Sequence, residues 1–285
     1  MRPDFNELRY SLPRRAAALH VHTAIRIIDD VWSLNPQFVP YLLQPSTVLL
    51  CAGLRAVSPY VILDDETRKR ESLLARVVSR HGLNLIAEES GEDSQSVFQF
   101  ISTERLKEIP ASYRAIAQTF PPPSHRLTNG AALYEWIEHF RYRIAALCRR
   151  EVLPSIWIES DSWAPHNLAF GMMLGYPGPA IASVCWDEVP RVHPQLALDE
   201  VIIAPSGWNC CFGAQVSYVC ESRLMLKPVI TCHSKLWEAV LQQVRDTFPI
   251  DRMLRNVAFA RTFHALAEKD GFRGIDQGLP EPAAA

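Results

Sequence analysis

Four apolar runs in this sequence lead into a side chain that can move a proton or ligate a metal: Leu63 into Asp64, Glu159 into Asp161, Trp186 into Asp187, and Cys232 into His233. If the runs are parallel strands, the four groups meet at one end of a sheet, where open α/β sheets bind ligands. Carboxylates and an imidazole gathered there suit general acid/base work, or offer oxygen and nitrogen donors to a metal. The helix expected from Pro165 would place His166 at its mouth and turn its unpaired amides and dipole toward an anion. The expected site therefore uses Asp161 and Asp187 as acid/base groups, His166 or His233 as proton carrier, and Asp64 beside them, with Asp65, Glu66 and Glu188 in second line. The competing structural reading is that acidic residues begin loops and cap the helices that follow.

Other reactive residue types fit bland roles better. Ser162 sits in neither a phosphate loop nor a G-x-S-x-G elbow, so it reads as a helix cap rather than a nucleophile. Cys185, Cys210, Cys211, Cys220 and Cys232 fall near His193 and His233, but zinc sites need ligands paired two to four residues apart, and there is no C-x-x-C. They read as core thiols, and neither a metal nor a cofactor is assigned. Trp157, Trp163, Trp186 and Trp208 read as core filling, as do His20 and His22, and Arg68-Lys69-Arg70 as a solvated helix face.

The elements that would position these residues follow from periodicity. Ala17, Val21, Ala24, Ile25, Ile28 and Trp32 recur at helical spacing from Arg14 to Trp32, and Asn35-Pro36 stops the pattern. Thr47 to Leu54 is apolar and short, ambiguous between helix and strand. Tyr60 to Leu63 reads as a buried strand, Thr67 to His81 as a charged helix ended by Gly82, and Leu83 to Ala87 with Val97 to Ile101 as a hairpin. Thr103 to Phe120 is broken by Pro110, and Pro121-Pro122-Pro123 is a stiff extended connector. Ala131 to Arg150 is a long helix. Ser155 to Glu159, Pro165 to Gly175 and Ala180 to Trp186 form a candidate βαβ unit over 155–186. Strand-like runs follow at Glu200 to Ala204, Gln215 to Cys220 and Pro228 to Cys232, then helices at Lys235 to Phe248 and Asp251 to Ala267. Gly175 followed by Pro177 is explained as a left-handed helix cap and a helix stop.

Composition bounds the class. With 48% apolar and 21% charged residues over 285 positions, the chain can bury a sizeable core. Its 29 basic and 31 acidic residues leave a net charge of −2, which argues against general nucleic-acid binding through a broad cationic footprint. The uncharged runs Ser162 to Trp186 and Val201 to Cys220 are interrupted by Pro, Gly and Asn, so neither is expected to span a membrane. The opening residues interleave charge and Pro, unlike a secretory signal. Seven cysteines without framework spacing suit a reducing, cytoplasmic location.

The run Gly171-Met172-Met173-Leu174-Gly175-Tyr176-Pro177, preceded by Ser160-Asp161-Ser162-Trp163, resembles an uncharacterised family of animal proteins whose human member is named only for a chromosome 1 open reading frame. Ala52-Gly53-Leu54-Arg55 is similar to that family's small, basic turn before a strand, with Ile62-Leu63-Asp64 as the strand's end. This chain departs from the pattern at Ser162, inserted between Asp and Trp, and at Ala56-Val57-Ser58, which separates the basic residue from Pro59. The resemblance implies a single-domain architecture and assigns no chemistry.

The sequence thus predicts an α/β fold: a single domain over 1–270 with a mixed sheet flanked by helices and a flexible tail over 271–285, the alternative being a two-lobed variant with an internal boundary near 121–130. The expected function is hydrolysis or group transfer on a small polar or phosphorylated molecule in a pocket at strand carboxyl ends. The alternative is a non-catalytic scaffold or protein-interaction domain, and the sequence leaves both classes open. The expected partners are a small anionic ligand and a second copy in a homo-oligomer.

Overall fold

In the computed structural model, the first helix, α1 (Phe5–Leu34), follows from its heptad-like pattern. Ala17, Val21, Ala24, Ile28 and Val31 recur every three or four residues and are all buried, so one stripe faces the core. The structure describes residues 5–58, 61, 63, 65–89, 96–109, 111, 171–181, 198–203, 216–225 and 228–269. Asn35 ends α1 and begins the next turn, its side-chain oxygen accepting from the Gln37 amide at 3.2 Å, with Pro36 preset for the 3-10 turn Pro36–Phe38. Two short helices follow, α2 (Val39–Leu42) and α3 (Pro45–Cys51), and every residue in both is buried. The ambiguous run from Thr47 is therefore helical: Pro45 starts it, and Gly53 ends it in the left-handed region at φ 71°.

The charged helix expected from Thr67 occurs as two pieces, α4 (Asp65–Arg68) and α5 (Glu71–Ser79), with Gly82 at φ 73° beyond. The hairpin is present as β1 (Leu83–Glu89) paired antiparallel with β2 (Ser96–Ser102). Ser58 bonds Phe100 and Val61 bonds Phe98 through backbone groups, so Val57, Ser58 and Val61 lie antiparallel along the outer edge of β2. From Ser58 to Val61 the chain advances three residues while β2 advances two. Residues 103–109 are helical.

A second antiparallel pair, β3 (Leu198–Ile203) with β4 (Val216–Glu221), precedes four helices: α6 (Ser222–Met225), α7 (Pro228–Thr247), α8 (Ile250–Met253) and α9 (Val257–Lys269). Helix α7 packs along α1 and against α3 and β3, burying Ile230, Trp237, Val240, Leu241 and Val244. Helix α9 closes over the 3-10 turn and α2, with Phe259 edge-on to Trp32 at 5.7 Å and stacked on Phe263 at 5.8 Å. The chain is thus mainly helical, with two small antiparallel sheets among the described residues.

Three expectations are corrected. Pro228 to Cys232 is not a strand but the opening of α7, because its Ile230 belongs to the same buried helical stripe as Trp237. His233 is therefore on a helix and leaves no strand. Ala180 and Ile181 are helical too, their amides bonding Pro177 O at 2.9 and 3.1 Å, so no strand starts at Ala180. The Val61 segment pairs antiparallel rather than parallel. The expected helix at Ala131 to Arg150, the strand at Ser155 to Glu159, the connector at 121–123, the boundary near 121–130 and the tail from 271 lie outside the described residues. Among the described residues no helix is long and apolar enough to cross a membrane.

Gly82 and Gly175 share a positive φ of 73° but differ in surroundings: a Cβ on Gly82 meets nothing within 4 Å, whereas one on Gly175 runs into the backbone carbonyl of Leu54. Gly82→Ala is expected to cost only the left-handed strain of about 1–2 kcal/mol. Gly175→Ala is expected to cost more than about 4 kcal/mol, or to abolish folding. Urea denaturation midpoints of the two variants check the difference.

Candidate functional site

Two helix ends meet here. At the end of α3 the Leu54 amide bonds Leu49 O at 2.9 Å and the Gly53 amide bonds Leu50 O at 2.8 Å, the paired bonds of a Schellman cap. The helical turn at 171–173 ends in the same way, with Tyr176 N bonding Gly171 O and Gly175 N bonding Met172 O, both at 2.9 Å. The cap expected at Gly175 is therefore present, with φ 73°. The two caps lock together: the amides of Ala56 and Val57 both bond Met173 O, at 2.8 and 3.3 Å, and Gly175 lies against the Leu54 carbonyl. The strings Ala52-Gly53-Leu54-Arg55 and Gly171 to Pro177, more than a hundred positions apart, form one joint.

Each cap also gives a carbonyl to an imidazole. His20 on α1 has Nδ1 2.7 Å from Ala52 O, and His233 on α7 has Nε2 2.9 Å from Gly175 O. A carbonyl only accepts, so the proton sits on Nδ1 of His20 and on Nε2 of His233, and the lone pair of neutral His233 is on Nδ1.

Arg55 leaves the first cap and enters the core, its side chain reaching three elements. It is 3% exposed. Its Nη1 donates to Ser46 Oγ on α3 at 3.2 Å. The guanidinium carbon lies 4.6 Å from the centroid of the Trp237 ring and 5.6 Å from that of Tyr176, and Arg55 shares a side-chain hydrogen bond with Tyr176. The His233 ring lies 4.4 Å from that of Trp237, and Tyr176 lies 6.3 Å from it. Buried Ser46, Arg55 and Trp237 with half-buried Tyr176 and His233 thus form one cluster.

Burial sets the protonation states. It pushes Arg55 down to about 10, which leaves the guanidinium charged at neutral pH. Burial raises the Tyr176 phenol, and the Arg55 charge opposes that shift in part. His233 is pushed down to about 4 by burial, against the pull of its bond to Gly175 O, with the Arg55 charge adding to the depression. At neutral pH His233 is therefore an uncharged hydrogen-bonding group and a poor proton carrier. Cys51, buried beneath the first cap, is pushed up to about 12 and is inert.

Of the residues expected to form the site, His233 is placed in this cluster, by a helix instead of a strand. Asp161, His166, Asp187 and Asp64 lie outside the described residues, as do Ser162, Glu188, Cys185, Cys210 and Cys211. Asp65 and Glu66 are exposed on α4. Among the described residues no three His, Cys, Asp or Glu side chains come together as a metal site. Motif and spacing do not single out Arg55, Tyr176 or Trp237 as site residues. One signal in the sequence does point to the first of them: Arg55 is the only charged residue between Asp30 and Asp64, so whatever buries that stretch buries a cation with it.

The acid limb of stability tests the His233 assignment. In the unfolded chain the ring titrates near 6.5 and in the folded chain near 4, so the unfolded state takes the proton first. Stability from this group is complete above about 6.5 and falls as pH drops toward 4, by about 1.4 kcal/mol per pH unit. His81, also depressed by burial, adds a loss of the same sign. His233→Gln keeps an Nε2 donor for Gly175 O but does not titrate, so its urea midpoint is expected to fall less steeply across that window than that of the native chain. Comparison with protein-family models, with curated proteins and with solved structures finds no match to this chain.

Proposed function

We propose that this chain is an enzyme of hydrolase or transferase type acting on a small polar or phosphorylated molecule, with a pocket bordered by the joint of the two helix caps. The observation that supports this reading is the cluster of buried Ser46 and Arg55 with half-buried Tyr176 and His233. Well-packed apolar residues in place of buried charged groups often hold a fold as well or better. A core that retains such groups gives up stability, the usual mark of a site kept for chemistry or binding.

In this reading Asp161, His166 and Asp187 supply the acid/base steps, with Asp64 beside them. Asp161 and His166 precede the helical turn that carries the second cap, so that turn would tie them to Arg55. The finer architecture proposed is a mixed sheet with a βαβ unit at 155–186, its second strand beginning after the helical residues 178–181. Membership of the animal family suggested by the L-G-Y-P string, a cytoplasmic location, homo-oligomer formation and the lack of general nucleic-acid binding belong to the same proposal.

A second reading is a non-catalytic scaffold. It is favoured by the way Arg55 ties α3, the 171–181 segment and α7 together through Ser46, Tyr176 and Trp237. The two readings part at Asp161. A thermal-shift and turnover screen against nucleotides, sugar phosphates, amino acids and divalent metals is run on the native chain and on Asp161→Ala. The enzyme reading expects a ligand that raises Tm by mass action and is turned over, with turnover lost in a variant of unchanged stability. A variant less stable by about 0.5–2 kcal/mol, with no turnover of any compound by the native chain, makes Asp161 a helix cap and favours the scaffold.

A further inference from the structure

Among the described residues the buried guanidinium is incompletely satisfied. Arg55 has five N–H donors; Nη1 is used by Ser46 and the shared bond goes to Tyr176, but Nε is buried with no hydrogen-bond partner. Among the described residues no carboxylate pairs with it, and the charge is faced instead by the Trp237 and Tyr176 rings. A ring face attracts a cation but does not accept its N–H in the guanidinium plane. The imidazole closest to it, that of His233, is neutral and adds no negative charge. A buried cation lacking both a counter-ion and one acceptor is the state that an anionic ligand completes.

We propose that Arg55 is the anchor for the anionic group of a small ligand, with Nε–H donating to an oxyanion oxygen of a phosphate or carboxylate. This rests on the reading of the cluster as a ligand pocket, and it moves the anion from the helix beginning near Pro165 to the cap joint. The Trp237 and Tyr176 rings hold the guanidinium plane in place, so Nε is presented in a fixed direction and the ligand does not have to order the side chain. Nε is the guanidinium nitrogen that is buried without a partner among the described residues, so the anion meets the group there. Tyr176 and Ser46 position the guanidinium and do not bind the ligand themselves.

The test uses the full chain labelled with 15N and follows the arginine Nε–H signals, with that of Arg55 assigned by its absence in Arg55→Met. Inorganic phosphate and acetate are titrated separately at constant ionic strength, with chloride as the control. The expected result is a saturable downfield shift of the Arg55 signal with one of the oxyanions, accompanied by a rise in Tm; phosphate and acetate identify the source by which of them saturates. Arg55→Lys keeps the charge but lacks Nε–H and is expected to lose the rise in Tm. If Arg55→Met does not fold, Arg55→Lys supplies the assignment. An Arg55 signal that no oxyanion moves, or that chloride moves equally, overturns the proposal. A saturable shift with no turnover in the wider screen keeps the anchor and removes the enzyme reading, so the two can fail separately.

Discussion

The seating of one helix cap on another, with Gly175 against the Leu54 carbonyl and Met173 O shared by the amides of Ala56 and Val57, holds the remaining elements in place. A Schellman cap leaves carbonyls pointing away from the helix, and inside a core those carbonyls need donors. Here the second cap finds them in the amides of Ala56 and Val57 and in His233, and the first in His20. Because α1 and α7 each contribute one of those imidazoles and also pack on each other, the joint ties the long helices to the short ones.

The joint also creates the electrostatic problem of the fold. Leaving the first cap inward carries Arg55 into the core, where its charge is met by a hydroxyl on α3, by Tyr176 of the second cap and by the Trp237 ring. Aromatic faces lessen the cost of burying a cation without neutralising it. The same burial that lowers Arg55 keeps His233 neutral, so a residue with the side-chain type of a proton carrier serves as a fixed donor at neutral pH. Burial lowers both groups, and because their ordinary values differ it leaves Arg55 charged and His233 neutral at neutral pH.

Much of the framework is legible in local sequence pattern. The stripe on α1, the stop at Asn35-Pro36, the hairpin around Leu83 and Val97, the strand-like runs near Glu200 and Gln215, and the left-handed Gly175 all follow from such patterns and are present in the fold. Pattern misleads where the signal is short. Val229, Ile230 and Thr231 are β-branched and read as a strand, but Ile230 completes the buried stripe of α7, and packing outweighs a small difference in propensity. Likewise Ala180-Ile181 follow Pro177 at a spacing that continues a helical turn.

Most of the helices and hairpins, and the points where their glycines turn, are written in the order of the residues, because capping, periodicity and turn chemistry act over a few positions. So is the lone charge at Arg55, set in a stretch otherwise without any. That this charge lies beside Tyr176, Trp237 and His233 is a matter of tertiary packing alone, since those residues are separated from it by more than a hundred positions and share no pattern with it. Contacts of that kind are selected by the fit of whole elements, in which the Leu54 carbonyl tolerates no Cβ at position 175 and α7 must lie across both caps.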